Sequence, residues 1–392
     1  MLSIAIFVLH FPLASVHHAY AHYEDGGPFS FDPKAADYNN QFISHQAPIL
    51  VLENVRVIDG MGSAPEEAQT IVIEDGKIIA LGATGSIPIP KDAKVISAAG
   101  KTVLPGYVMH HEHLYYHSLS QVPGMPYLAT PSMVTRLALE PLQGIDKDIL
   151  LRPDLFLTAP FIQGDPEYYQ LMPEINSAEA AKREVRYWAE RGFHNFKTCV
   201  DISLSEIRAA AQEAHLHGKN ISSRLCSVSI LEALDAGIDE IEHEFQSIAV
   251  DILPLNEGEE IYSKAGDVTI FLQKLMELDY KFWKAGGNLV MGSDAVALAG
   301  AVPGSTNLES LELLFMAGIP PLEVIKIATL NGARALDLFN RRTIAEGQRA
   351  DLILLNGNPV EDFKAIYEIG TVSKKGVGYS SARLQDTIGI IN

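Results

Sequence analysis

The rhythm of apolar and polar positions changes along the chain, and each rhythm predicts a different architecture. From Ile49 the text "ILVLENVRVIDG" alternates apolar with polar residues and runs into an Asp-Gly turn. "QTIVIEDGKIIALG" then places two short β-rich runs around Asp75-Gly76, which predicts a hairpin. "AKVISAAGKTVLPG" continues the strand pattern, and "ADLILLNGNP" and "IGTVSKKGVGY" repeat it near the other end. Residues 48–104 and 343–392 are therefore expected to form one composite β-sandwich, closed around what lies between them.

Between these stretches the pattern alternates helix and strand. "NSAEAAKREVRYWAERG" opens with Asn176 and Glu179 at capping-box spacing, and "SLSEIRAAAQEAHLHG" opens with Ser203 and Glu206 at the same spacing. These helices stop at Gly192 and Gly218, and later ones stop at Gly237 and at Gly286-Gly287. A short β-rich run follows each stop: "FHNFK", "KNISSR", "IDEIEH" and "NLVMGSD". Helix, glycine and strand in repetition predict parallel α/β units. A doubly wound sheet shares that pattern, but the roughly 235 residues involved suit a closed (β/α)8 TIM-like barrel. The barrel is assigned to residues 105–342. It is short near its second strand, where "SMVTRLALEP" is the one candidate.

Composition narrows the function classes. The chain has 392 residues, 47% hydrophobic and 20% charged, an ordinary globular balance. A formal net charge of −19 argues against nucleic acid as a partner and does not define a substrate; the small-molecule substrate expected below follows from the family resemblance. Met1 to Ala21 carries a short apolar run ending in "AYA", which predicts a signal peptide and a secreted or periplasmic protein, although no Lys or Arg precedes the run. Residues 22–47 read as an extended arm, and no later stretch is long and apolar enough to span a membrane. The two cysteines, Cys199 and Cys226, form neither a disulfide scaffold nor a zinc-finger spacing. Two buried thiols are favoured over a bond between them.

Candidate chemistry sits where the predicted strands end. Lys197, Arg224, His243 and Asp294 each follow a helix-stopping glycine by five to seven residues. In a parallel barrel all carboxyl ends face one mouth, where catalytic groups gather. In "GYVMHHEH", His111 and His113 lie two apart and share a strand face, while His110 points the other way. Imidazoles on one strand with a carboxylate and further His nearby predict a divalent-metal site. Zinc suits it, as do manganese, iron and cobalt. His117, His194, His215 and His217 read as surface or helix-end residues.

"VLPGYVMHHEHL", "FKTCVD", "DEIEHEF", "VMGSDA", "IKIATLNGARALDL" and "RRTIAEGQRADLILLNGNP" together resemble the amidohydrolase superfamily, specifically imidazolonepropionase/prolidase-like members, from about residue 48 to 380. The resemblance implies that His111 and His113 bind a first metal, that Lys197 is carbamylated to bridge two, and that His243 binds a second. It also implies that Asp294 is both ligand and general base for a metal-activated water. The expected reaction is cleavage of a C–N bond in an amide, dipeptide or cyclic amide. A non-catalytic binding protein on the same scaffold and an ester or lactone hydrolase are the alternatives. Three positions depart from the family pattern: Met109 stands where an Asp is usual, Arg224 where a metal-binding His is usual, and the second strand is short. A guanidinium offers no lone pair, so one bound ion is favoured over two, and Arg224 is a candidate for binding a substrate carboxylate.

Overall fold

A computed structural model describes residues 3–6, 40–112, 132–138, 153–164, 175–199, 201–225, 227–242, 268–294 and 304–387. Strands are numbered in chain order: β1 (Ser3–Ile6), β2 (Ile43–His45), β3 (Ile49–Val57), β4 (Glu66–Glu74), β5 (Lys77–Ala83), β6 (Lys94–Ser97) and β7 (Thr102–Pro105). They continue with β8 (Tyr107–Glu112), β9 (Ser132–Ala138), β10 (Asp154–Thr158), β11 (Asn195–Thr198), β12 (Asn220–Arg224), β13 (Glu240–Glu242) and β14 (Asn288–Met291). The last three are β15 (Leu352–Leu355), β16 (Ile369–Lys374) and β17 (Val377–Ser380).

The two ends of the chain build one nine-stranded sheet, in the order β2-β17-β16-β15-β7-β3-β4-β5 with β6 alongside β3. Its joining seam is β7 against β15, antiparallel, with Leu104 opposite Ile353. The alternation read at Ile49 is incomplete: Leu50, Val51 and Leu52 are all buried, as expected for a strand covered on both faces. Leu50, Leu52, Val55, Ile71, Ile73, Val103, Leu352 and Leu354 form the sheet's own core.

Strand β7 leads through Gly106 directly into β8, the first strand of a parallel barrel. The barrel closes through eight strands in the order β1-β13-β12-β11-β10-β9-β8-β14. "SMVTRLA" does supply the second strand, β9, which pairs with both β8 and β10. The helices between strands begin where polar caps are available. Helix α1 (Ala178–Ala189) is capped by Ser177, whose hydroxyl accepts from Ala180 N, one residue later than the expected Asn176. Helix α2 (Leu204–Leu216) has the expected Ser203–Glu206 capping box. Helix α3 (Ile230–Ala236) has a second box, Ser229–Glu232, and ends on Gly237 at φ 100°, a left-handed conformation that glycine adopts without strain. Helix α4 (Val268–Lys284) ends before Gly286. Among the described residues no helix is long and apolar enough to cross a membrane.

The seventh slot of the barrel holds a surprise. It is filled by β1, which lies parallel between β13 and β14, with Ile4 opposite Ile241 on one side and Leu289 on the other. The signal-peptide reading of residues 1–21 and this pairing cannot both hold in one molecule, because cleavage after Ala21 would take β1 away. A four-residue apolar strand and the apolar stretch of a leader carry the same local signal. Cys199 is a buried free thiol, and Cys226 lies outside the described residues.

A partly buried ion network fastens sheet to barrel. Asp154, at the start of β10, meets Arg341 Nη1 at 2.7 Å, Arg349 Nη1 at 2.6 Å and Lys374 Nζ at 3.0 Å. Asp351 meets Arg349 Nε at 2.7 Å. Burial alone would raise the Asp154 carboxyl, but Lys374, Arg349 and Arg341 outweigh it and hold it far below the ordinary carboxylate range.

Two expectations follow. Deleting residues 1–6 exposes the facing edges of β13 and β14, so the urea midpoint drops and the protein self-associates in light scattering. A midpoint and scattering equal to the full chain would show that β1 does not close the barrel. Asp154→Asn removes the carboxylate shared by three cations, of which Arg349 and Arg341 keep Asp351, and lowers unfolding free energy by about 1–2 kcal/mol at neutral pH. The folded carboxyl is depressed, so that contribution is present above the unfolded value of about 3.9 and is lost as pH falls below it. Urea titrations of both proteins should therefore converge in acid.

Candidate metal centre

Four elements bring ionisable groups to one buried place. Strand β8 contributes His111, β11 contributes Lys197, β13 contributes Glu242, and the turn after β14 contributes Asp294; all four side chains are buried. His111 is central. Its Nδ1 lies 2.7 Å from Glu242 Oε2, and its Nε2 lies 3.1 Å from Asp294 Oδ1. Lys197 Nζ contacts Glu242 Oε2, stands 3.4 Å from His111 Nε2, and lies 4.8 Å from the centre of the Phe161 ring. Burial and Lys197 push the His111 pKa down, but Glu242 and Asp294 outweigh them and the net shift is upward.

The backbone fixes Asp294 in an unusual conformation. Its φ is 48°, rare for a residue with a side chain, and its amide and that of Ser293 both donate to His111 O at 3.2 Å. Ser293 Oγ also donates to Glu112 Oε1 at 2.8 Å. Burial pushes the Glu112 carboxyl up to about 8, against the opposing effects of Ser293 and His111.

His110 faces elsewhere, as its strand position predicts. Its Nδ1 is 3.0 Å from Glu240 Oε2, and its Nε2–H donates to Gly332 O at 3.0 Å. A side chain at Gly332 would place Cβ 2.9 Å from Val108 O and 3.0 Å from Val108 Cβ, so glycine lets this helical turn lie against β8. Asn331 Nδ2 donates to Leu289 O at 3.0 Å, tying the same turn to β14. These contacts give the "NGAR" text a physical role.

The other predicted residues fall as follows. Arg224 ends β12 and stands in register with Glu242; Lys197 is in register with Ser222. Met109 is a fully buried core residue opposite Met291. His215 and His217 pair with Asp239 and Glu213 at the end of α2, away from the site. His113, His117 and His243 lie outside the described residues. Glu242 was not anticipated, because His243 drew the reading of "DEIEH". Its signal was the two-residue period: Glu240 and Glu242 share one strand face, and Ile241 between them joins the hydrophobic core. Ser293 and Glu112 left no comparable signal.

The donor chemistry can be tested against a divalent ion. Among the described residues no three His, Cys, Asp or Glu are gathered to hold a metal. The reason is visible: Glu242 and Asp294 lie on opposite edges of the His111 ring and do not converge. The Nε2 edge carries two groups of ligand type, with Lys197 Nζ 3.4 Å from the same nitrogen. Two donors on one zinc at about 2.1 Å and tetrahedral angles stand about 3.4 Å apart, close to the 3.1 Å between His111 Nε2 and Asp294 Oδ1. The residues present thus supply an imidazole and a carboxylate at ligand spacing.

A profile of the amidohydrolase family matches residues 178–377, just over half of the 392 residues. The chain belongs to the amidohydrolase family. The enamidase of Eubacterium barkeri is 24% identical to this amidohydrolase over 366 residues, which is 82% of this chain and 91% of the relative. The imidazolonepropionase of Deinococcus radiodurans is 25% identical over 249 residues, 60% of this chain and 58% of that protein. Among solved structures, a Xaa-Pro dipeptidase with bound methionine in its active site superposes with a TM-score of 0.70 at 18% identity, covering 85% of this chain and 100% of that one. The ochratoxinase of A. niger superposes at 0.67 with 18% identity, covering 86% and 96%. At these identities the superpositions establish the fold alone.

Gly332→Ala forces the helical turn away from Val108 and loosens the His110 bond. The expected loss is about 1–3 kcal/mol of unfolding free energy by urea titration. An unchanged midpoint would show that the turn has room to move.

Proposed function

We propose that this amidohydrolase hydrolyses a C–N bond of a small-molecule amide, dipeptide or cyclic amide, with a divalent metal as cofactor. The observation that carries the reading is the His111–Asp294 pair, two groups of ligand type brought to 3.1 Å from β8 and the turn after β14 inside a buried site. The relatives support the class of reaction, since their names are those of enamidase and imidazolonepropionase.

His111 Nε2 and Asp294 Oδ1 would hold the ion. His113 is the further donor expected from the family pattern, and zinc suits the set. When bound, the metal lowers the pKa of a coordinated water and polarises the scissile carbonyl. The protein's own groups do the rest. Asp294 is the general base, its carboxylate accepting a proton from the attacking water and returning it to the leaving nitrogen. The backbone bonds to His111 O keep that carboxylate at a fixed angle, so little reorganisation accompanies proton transfer. Lys197, the residue expected from the family pattern to be carbamylated and to join the ligands, stands with its Nζ against Glu242 Oε2. Arg224, at the strand end, is suited to a substrate carboxylate by a two-point contact. A guanidinium in that position also disfavours a second cation, so one ion is expected.

Purified protein should contain about one zinc, manganese, iron or cobalt per chain by mass spectrometry, on that ligand count. A panel of N-acyl amino acids, dipeptides and cyclic amides should show turnover that a chelator removes and metal restores. His111→Asn and Asp294→Asn should each abolish turnover. Stable protein with neither metal uptake nor turnover would refute the reading, and two tightly held ions would refute the one-ion site.

A further inference from the structure

Seven of the eight barrel strands follow one another along the chain from Tyr107 to Met291; the eighth, β1, comes from the N terminus. Among the described residues no strand between Glu242 and Asn288 competes for its slot. The next strand in the chain, β2, lies at an edge of the composite sheet, so strand pairing is what ties β1 to β13 and β14. Neighbouring strands stand about 4.8 Å apart, so β13 and β14 flank a gap about 10 Å wide that fits one strand. Its walls are rows of backbone N–H and C=O groups that need partners. The register matches the segment to the walls level by level. Ser3 stands opposite Glu240 and Asn288, both polar, and Ile4 stands opposite Ile241 and Leu289, both in the hydrophobic core. Ala5 and Ile6 follow opposite Val290 and Met291. Such a gap selects an extended, uncharged, apolar segment, because a charge at the level of Ile4 would be buried against hydrocarbon. Met1 to Ala21 contains no Asp, Glu, Lys or Arg.

We propose that this gap is a strand-binding groove, that residues 3–6 are its tethered ligand, and that cleavage between β1 and β2 acts as a switch on the buried cluster. The cleavage position expected for a leader, after Ala21, falls in that connection. While the chain is whole, the tether holds β1 at a local concentration of about a millimolar. A cut after Ala21 removes that advantage and leaves four residues of pairing to hold a separate peptide, which departs at micromolar protein. The groove lies between the strand that bears Glu242 and the turn that bears Asp294, the two carboxylates that reach His111. Emptying it lets β13 and β14 draw together or part, and either shift takes one carboxylate away from His111. The switch requires no metal, so it stands whether or not the site holds one.

The test uses the full chain with the recognition sequence of a specific protease placed after Ala21, and a second version that also carries Ile4→Cys and Leu289→Cys. Facing Cα atoms of paired strands lie within disulfide reach. Peptide mapping of the uncut, oxidised protein should find the two introduced thiols bonded within one chain. After the cut, the reduced protein should release its N-terminal fragment in native mass spectrometry, and amide exchange in β13 and β14 should quicken about tenfold or more. The oxidised protein should keep the fragment and exchange slowly. A synthetic peptide of residues 1–8, in excess during the cut, should keep exchange slow in the reduced protein, and the same peptide with Ile4→Lys should not. If the double variant unfolds, Ile4→Cys with Ile241→Cys replaces it. No bond in an uncut protein with the wild-type urea midpoint would overturn the seating of β1. A fragment retained by the cut, reduced protein would overturn the switch, as would slow exchange in β13 and β14 after the fragment has left. A peptide without effect, or one equally effective with Ile4→Lys, would overturn the groove.

Discussion

A charge in the interior of a protein must find its opposite, and the barrel of this amidohydrolase is organised around that requirement. Glu242, Asp294, Lys197 and His111 are all withdrawn from water. Alone, each would be neutralised or would destabilise the fold by several kcal/mol. Together they are tolerated only when β8, β11, β13 and the turn after β14 are all in place. The cluster therefore makes the site's geometry and the barrel's closure one condition. Strands β13 and β14 are not neighbours; β1 separates them and sets the distance across which Glu242 and Asp294 reach His111 from opposite sides.

The opposite end of the barrel meets the same requirement in a different way. Asp154 opens β10 and is held by Arg341, Arg349 and Lys374, residues from the part of the chain that completes the sheet. Gly106 N donates to Asp351 O at 2.9 Å, so the junction of β7 and β8 is bonded beside this network. The composite sheet thus grips both the first barrel strand and the third. Such a network fixes the sheet's orientation more than it adds net stability, because the cost of burying its charges offsets much of their attraction.

Much of this could be read from the chain. The composite sheet was legible because hairpin and alternation signals are local and strong near Asp75-Gly76 and in "ADLILL". The strand ends were legible because glycines stop each helix at a predictable distance before them, which located Lys197, Arg224 and Asp294. What escaped was non-local. No local feature tells that "SIAI" pairs with "EIE" and "NLVM" from the far side of the chain, since a short apolar run has no partner written into it. Glu242 escaped for a different reason: a His beside a Glu draws a metal reading, yet the strand's two-residue period puts Glu240 and Glu242 inward together. The position of α1's cap differed by one residue, as helix boundaries commonly do.

Arg224 brings these threads to the question of what such a site accepts. It sits at the mouth end of β12, in register with Glu242 on the neighbouring strand. Lys197 contacts Glu242 on the same side of the barrel mouth. On the proposed reading a second ion would enter beside a guanidinium that cannot release its proton. An anionic group is favoured there for the same reason, and a planar guanidinium suits the two oxygens of a carboxylate. On the proposed reading, a single-ion site and a preference for an acidic substrate would share one cause, a permanent positive charge where the family pattern has an imidazole.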